Sequence, residues 1–181
     1  MAELPEDLDL VGLLKREGVL GSPIDVGRGQ RLIQPGETER HIYFIESGAF
    51  KIFFEHGDEE YITRLAYSDE LITSLDSFIT GEPTTYYIEA LRSSVIRKGR
   101  VEAYRSFIKS SPQLHDVWNT LLSNLVFQQM EREVDLLIPA PQERYERVLK
   151  RSPKLFQEVP LKYIASYLRM TPETLSRVMK S

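Results

Sequence analysis

The spacing of apolar positions divides the chain into three stretches. Between residues 22 and 98, short runs rich in β-branched and aromatic side chains recur at intervals near ten, as in Arg31-Leu-Ile, His41-Ile-Tyr-Phe-Ile, Phe50-Lys-Ile-Phe-Phe and Tyr61-Ile-Thr-Arg-Leu. Turn-forming residues separate them: Gly27 and Gly29, Pro35-Gly36, Ser47-Gly48 and His56-Gly57-Asp58. Short strands at this spacing predict an antiparallel β sandwich or jelly roll rather than a βαβ sheet. Residues 3–14 and 101–109 read as short flanking helices.

From Ser111 the period lengthens. Ser111-Pro112 sets a capping hydroxyl before a proline at the first helical position. Leu114, Val117, Trp118, Leu121, Leu122, Leu125, Val126, Met130, Val134 and Leu137 then recur at threes and fours until Pro139 and Pro141 end the stripe. A helix of about 26 residues would be about 39 Å long, more than a small β domain covers. The surplus stripe is expected to meet a second copy in a parallel dimer. A helix over 142–152 follows, with Tyr145, Val148 and Leu149 on one face, then a loop through Pro153 and Pro160, and two short helices over 161–168 and 172–180. The fold class is α+β: a β domain over 1–110, a long helix over 111–138 and an all-α unit over 139–181.

The two closing helices carry the sharpest pattern. Ile164, Ala165 and Leu168 share one face; Thr171 can cap the second helix, with Pro172 at its first position. Leu175 and Val178 then point inward and Glu173, Thr174, Ser176, Arg177 and Lys180 outward. Arginine pairs with guanine, glutamate accepts from the cytosine amino group, and serine or threonine bonds phosphate oxygens. With Lys162 on the preceding helix, these residues form a candidate DNA-contacting set. The same spacing suits any helical hairpin with a solvated face, so a protein-interaction module stays open at this point.

Charge sharpens the choice. The net charge of −4 argues against nucleic acid, yet from Pro141 onward nine Lys and Arg stand against four Glu. The chain therefore has a basic end and an acidic remainder. It has no cysteine, which excludes disulfides and thiolate chemistry, and its three histidines, His41, His56 and His115, are isolated. No metal site and no catalytic constellation can be assembled, so an enzyme is not expected. No run of about 18 apolar residues is present, and the acidic start, without a signal-peptide pattern, leads to an expected cytoplasmic location.

The order of β sandwich, long helix and closing helix-turn-helix resembles the cyclic-AMP-receptor-protein and Fnr family of bacterial regulators over nearly the whole chain. Ile164-Ala165, residues 171–175 and Ser176-Arg177 look like that family's helix-turn-helix signature, which would put Glu173 and Arg177 at base-reading positions. Residues 41–50 look like the aromatic-rich strand leading to a glycine in cyclic-nucleotide-binding domains. The resemblance implies double-stranded DNA, a second copy of the chain and RNA polymerase as partners.

Two departures qualify it. The family's phosphate-binding cassette couples Gly-Glu-Leu to a later Arg followed by Ser or Thr. Those positions fall at Thr73-Ser74-Leu75 and Thr84-Thr85, so Ser74 replaces the ribose-bonding Glu and Thr84 the phosphate-neutralising Arg. Losing such a charge-assisted pair costs several kcal/mol, about a thousand-fold in affinity; cyclic AMP in the usual mode is not expected, and any effector is of unknown identity. A residual pocket is expected along Leu71, Thr73, Ser74, Leu75, Thr84, Thr85 and Tyr86, facing Gln128, Gln129 and Met130, unless Tyr86 or Phe78 fills it. The second departure is Arg169, where the family has a glycine of positive φ, at a cost of about 1 kcal/mol. The sequence stops at Ser181, so little of a wing hairpin is expected.

Overall fold

The computed structural model describes residues 9–180. The first six residues of the helix expected over 3–14 lie outside them. Helix α1 (Leu10–Arg16) is capped by Asp9, whose side chain accepts from the Gly12 N–H at 2.8 Å. Eight strands follow: β1 (Ile24–Val26), β2 (Arg31–Ile33), β3 (His41–Ser47), β4 (Ala49–His56), β5 (Glu59–Tyr67), β6 (Leu71–Ile72), β7 (Tyr87–Ala90) and β8 (Ser94–Arg100). They form two antiparallel sheets, ordered β1-β8-β3-β6 and β2-β7-β4-β5.

The inner faces of the sheets meet through Ile33, Tyr43, Ile45, Phe50, Ile52, Ile88 and Ile96. Strand β3 is buried on both sides, which explains why its sequence runs apolar without alternation. Tyr43 and Ile45 face the other sheet, whereas Ile42 and Phe44 pack under helices. The turn from β3 to β4 requires Gly48: its φ is 112°, and a Cβ there would stand 2.0 Å from the Ser94 hydroxyl.

In β5 one residue breaks the alternation. Ile52 pairs with Arg64 and Phe53 with Ile62, leaving Thr63 as a bulge whose hydroxyl donates to the Ile52 carbonyl at 3.0 Å. The bulge brings Ile62 onto the same outer face as Leu65 and Tyr67.

Helix α2 (Leu75–Thr80) interrupts the connection from β6 to β7, where no helix is expected from the sequence. It has six residues, too few for a 3.6-residue period to register. Helix α3 (Val101–Ile108) follows β8, and α4 (Pro112–Leu137) starts where the capping signal predicts, Ser111 accepting from the Leu114 N–H at 3.2 Å. The apolar stripe of α4 resolves into two faces. Leu114, Val117, Trp118 and Leu121 pack against α1, α2, α3 and β3, whereas Val126, Phe127, Met130, Val134 and Leu137 are exposed.

Pro141 opens α5 (Pro141–Arg151) rather than only ending α4. The loop expected through Pro153 and Pro160 contains one helical turn, α6 (Leu155–Glu158), before α7 (Leu161–Tyr167) and α8 (Pro172–Val178). The C-terminal helices do not form a core of their own. Val148, Leu155, Val159, Ile164, Ala165, Leu168, Leu175 and Val178 join Ala49, Phe53, Ile62 and Leu65 of the β4–β5 hairpin in one buried cluster.

Candidate nucleic-acid interface and the altered cassette

Helices α7 and α8 cross through a fully buried Ala165, where a larger side chain would separate them, with Ile164, Leu168, Leu175 and Val178 sealing the contact. Helix α7 ends as a Schellman turn: the Met170 N–H donates to the Ala165 carbonyl at 2.9 Å, and the Arg169 N–H to the Ser166 carbonyl at 3.1 Å. Arg169 takes the left-handed conformation, φ 55°, at the position expected of a glycine. Two contacts offset the strain. Its guanidinium lies over the Tyr61 ring at 4.6 Å, and Arg144 donates to the Leu168 carbonyl at 2.9 Å.

Thr171 caps α8, accepting from the Thr174 N–H at 3.2 Å, with Pro172 in the first turn. Glu173, Ser176, Arg177 and Lys180 are exposed on the outer face, Thr174 is half-buried, and Lys162 is exposed on α7. Hydrogen bonds from its own backbone N–H and from the Thr171 hydroxyl hold the Glu173 carboxyl below the usual carboxylate range. It is a charged acceptor at neutral pH.

Much of the C-terminal positive charge is turned inward. Arg147 and Arg151 clamp Asp135, itself only 2% exposed, at 2.8 and 2.5 Å. Lys154 pairs with Asp69 at 2.8 Å, and Arg144 and Arg169 serve the turn. Lys162 on α7, Arg177 on α8 and Lys180 just beyond it are exposed. Beside them, Glu59 and Glu60 of β5 border a shallow recess with Lys162, Arg169 and Pro172.

Arg132 of α4 ties three elements together. It donates to the Ile62 carbonyl at 2.6 Å and the Tyr167 carbonyl at 2.9 Å, and stacks on the Tyr167 ring at 3.9 Å. Neither it nor Asp135 carries a sequence signal, because their partners come from distant segments.

In the cassette, the structure brings Ser74 and Thr84 together, their hydroxyl oxygens 2.6 Å apart and both buried. Both reach Asp76, Ser74 donating at 2.7 Å and Thr84 at 2.9 Å, and the Thr85 N–H adds a bond at 3.2 Å. Burial opposes the Asp76 charge, but the bonds from Ser74, Ser77, Thr84 and Thr85 outweigh it and hold its carboxyl below the usual aspartate range. Glu39 braces the same turn from behind, accepting from the Ser74 and His41 N–H groups at 3.1 and 2.9 Å, while burial pushes its own carboxyl up. The network thus consists of hydroxyls, backbone N–H groups and carboxylates. Its one exposed-side charge is negative, which does not fit an anionic phosphate.

A cavity of about 550 Å³ opens beside the cassette, between α4, the β5–β6 segment and the C-terminal helices. Leu71, Thr73, Leu75, Gln128 and Gln129 line it, as the sequence leads one to expect. Ser74, Thr84, Thr85 and Tyr86 do not: the first three belong to the Asp76 network, and Tyr86 meets Phe54 edge-on at 6.1 Å. Met130 points away, 59% exposed. Phe78 forms a wall rather than a plug, packed against Trp118 and Tyr104. Among the described residues no helix is long and apolar enough to cross a membrane.

Comparison with known proteins agrees with this architecture. Residues 23–111 match the model of the cyclic nucleotide-binding domain. The chain is 28% identical over 167 residues to the fumarate and nitrate reduction regulatory protein of Vibrio cholerae, a match covering 85% of the chain and 66% of that protein, so the chain spans just under two thirds of its length. Among solved structures it is similar to FixK2 of Bradyrhizobium japonicum, with a TM-score of 0.74 and 15% identity over 88% of this chain and 82% of that one. The c-di-GMP-responsive global regulator CLP of Xanthomonas campestris gives a TM-score of 0.69 and 16% identity over 94% and 90%. At such identities these likenesses speak for the fold alone.

Proposed function

We propose that the chain, which matches the cyclic nucleotide-binding domain over residues 23–111 and has the fold of the cyclic-AMP-receptor-protein and Fnr family, is a homodimeric, sequence-specific DNA-binding transcription regulator of that family and not an enzyme. The observation that carries the reading is the pair α7–α8: a capped second helix, a tight left-handed turn, and Glu173, Ser176, Arg177 and Lys180 exposed together. Glu173 and Arg177 read base edges, and Lys162, Thr171, Pro172, Thr174, Ser176 and Lys180 sit at the backbone.

The exposed apolar face of α4, Val126 to Met130 to Val134 to Leu137, supports a second copy packed along it, which sets two reading heads on one face of the duplex. RNA polymerase is the further partner this reading brings. Cyclic AMP in the usual mode is not the effector: the Ser74–Thr84–Asp76 network offers a phosphate a negative charge where the family offers a guanidinium.

Electrophoretic gel-shift titration over promoter fragments tests the reading. Binding is expected to be sequence-selective and to weaken steeply between about 50 and 200 mM salt, because bound phosphates release counterions. One observation favours a second reading, a protein-interaction module: five of the C-terminal basic residues are committed to contacts within the chain. Absence of salt-dependent binding at every sequence would decide for it.

A further inference from the structure

We propose that the cavity between α4, the β5–β6 segment and α6–α7 binds an uncharged, largely apolar small molecule, and that its occupancy sets the position of the helix-turn-helix. The coupling rests on the regulator reading; the binding does not.

Size and lining come first. About 550 Å³ lies in the ordinary range of small-molecule sites. Phe78, Trp118, Leu121, Leu125 and Leu71 give it an apolar wall, with Gln128 at one edge.

Its charges argue for a neutral occupant. Three guanidiniums and three carboxylates reach the wall, and each already has a partner: Asp9 accepts from the Gly12 N–H, and Asp69 pairs with Lys154, so a cation entering finds no unpaired carboxylate. Arg64 pairs with Glu70 at 3.0 Å, Arg151 with Asp135 at 2.5 Å, and Arg132 donates to the Ile62 and Tyr167 carbonyls. An anion entering must break one of these bonds or stay unpaired at partial burial, and either outcome costs the charge its solvation. The threonine hydroxyls on the wall are also committed as donors, Thr63 to the Ile52 carbonyl and Thr73 to the His41 carbonyl, so they present acceptor lone pairs. This suits a ring-sized apolar molecule with a donor at its edge.

The position of the cavity supplies the coupling. One side belongs to the β domain and α4; the other is Ser152, Leu155 and Tyr167, from the segment that carries the reading head. Tyr167 closes α7 and holds Arg132. A molecule touching both sides binds more tightly to one arrangement of the two than to another, and so shifts their equilibrium.

The test uses the full chain and two dyes of one ring skeleton, neutral phenylnaphthylamine and anionic anilinonaphthalene sulfonate. Trp118 is the single tryptophan and lines the cavity, so its quenching by energy transfer reports binding. The neutral dye is expected to saturate and to bind at least about tenfold more tightly than the sulfonate. Leu125→Phe and Gln128→Phe, checked for unaltered thermal melting, are expected to weaken it at least about tenfold by filling the space. Equal affinity of the two dyes, or undiminished binding in both folded variants, would overturn the site. Gel shifts with and without the neutral dye then test the coupling, with at least a roughly threefold change in DNA affinity expected. Dye binding with unchanged DNA affinity would overturn the coupling alone, whereas dye binding in a chain that binds no DNA would uphold the site and sink the regulator reading.

Discussion

In the cassette, two buried hydroxyls rest on a carboxylate where a ligand's charge partners belong; in the turn between α7 and α8, a guanidinium occupies the left-handed backbone that favours glycine. Both places depart from the residues their frames ordinarily use, with opposite consequences. At the cassette the replacement satisfies itself internally: Ser74 and Thr84 each direct their one hydroxyl proton to Asp76, and the frame survives with its outward chemistry changed. At the turn the substitution is absorbed by neighbours, Tyr61 beneath and Arg144 alongside, and the outward chemistry of α8 is left alone. A frame held by apolar burial and satisfied backbone groups can keep its shape while the chemistry it displays is rewritten.

Removing the frame itself would break the contrast most severely. Ile164→Ala, in the cluster shared by the turn and the β4–β5 hairpin, is expected to cost about 2–5 kcal/mol in chemical denaturation. The cassette bonds should persist, so a loss of Asp76-dependent acid sensitivity in this variant would contradict the picture of two independent frames.

Changing only the displayed chemistry tests the other half. Arg177→Ala should weaken specific DNA binding by about 1–3 kcal/mol, with nonspecific binding nearly intact. Equal losses on specific and random DNA would reassign Arg177 to phosphate. Thr171→Ala, which removes the cap of α8, is expected to cost about 1 kcal/mol in thermal unfolding; a neutral result would mean that Pro172 and the turn alone start the helix.

The smallest effect is a pH dependence. The Asp76 carboxyl titrates below its ordinary value of 3.8, so its charge stabilises the folded state at neutral pH, and that contribution fades as pH falls through the folded-state value. Asp76→Asn should flatten stability against pH in that acidic window. Parallel curves for variant and wild type would show that the pair of hydroxyls does not depend on the charge.

What could be read in advance divides along physical lines. The strands, the start of α4 at Ser111 and the cap at Thr171 are local, written in period and in residues a few positions apart. Helices α2 and α6 escaped because one or two turns are too short to show a period. The stripe of α4 showed which residues are apolar but not that Leu114 to Leu121 and Val126 to Leu137 turn to different sides, since that depends on what the β domain covers. At the candidate site, the outer face of α8 was legible; the fate of the surrounding charge was not. Arg132 bonds carbonyls 35 and 70 residues away, and Arg144 one 24 residues away, and backbone carbonyls leave no mark in a sequence. Asp76 was missed because chain reversal between β6 and β7 is what sets it under Thr84.

The bulge at Thr63 has a consequence for how this hairpin tolerates change. Because one unpaired residue reverses the facing of the strand beyond it, the tip of the hairpin is phased separately from its base. Were Thr63 drawn into the ladder opposite Phe53, residues 59–62 would turn over and Ile62 would leave the seat of the helices, whereas deleting Thr63 would leave Ile62 opposite Phe53 and its facing unchanged. The attachment of the closing helices to the β domain therefore depends on Thr63 staying out of the ladder.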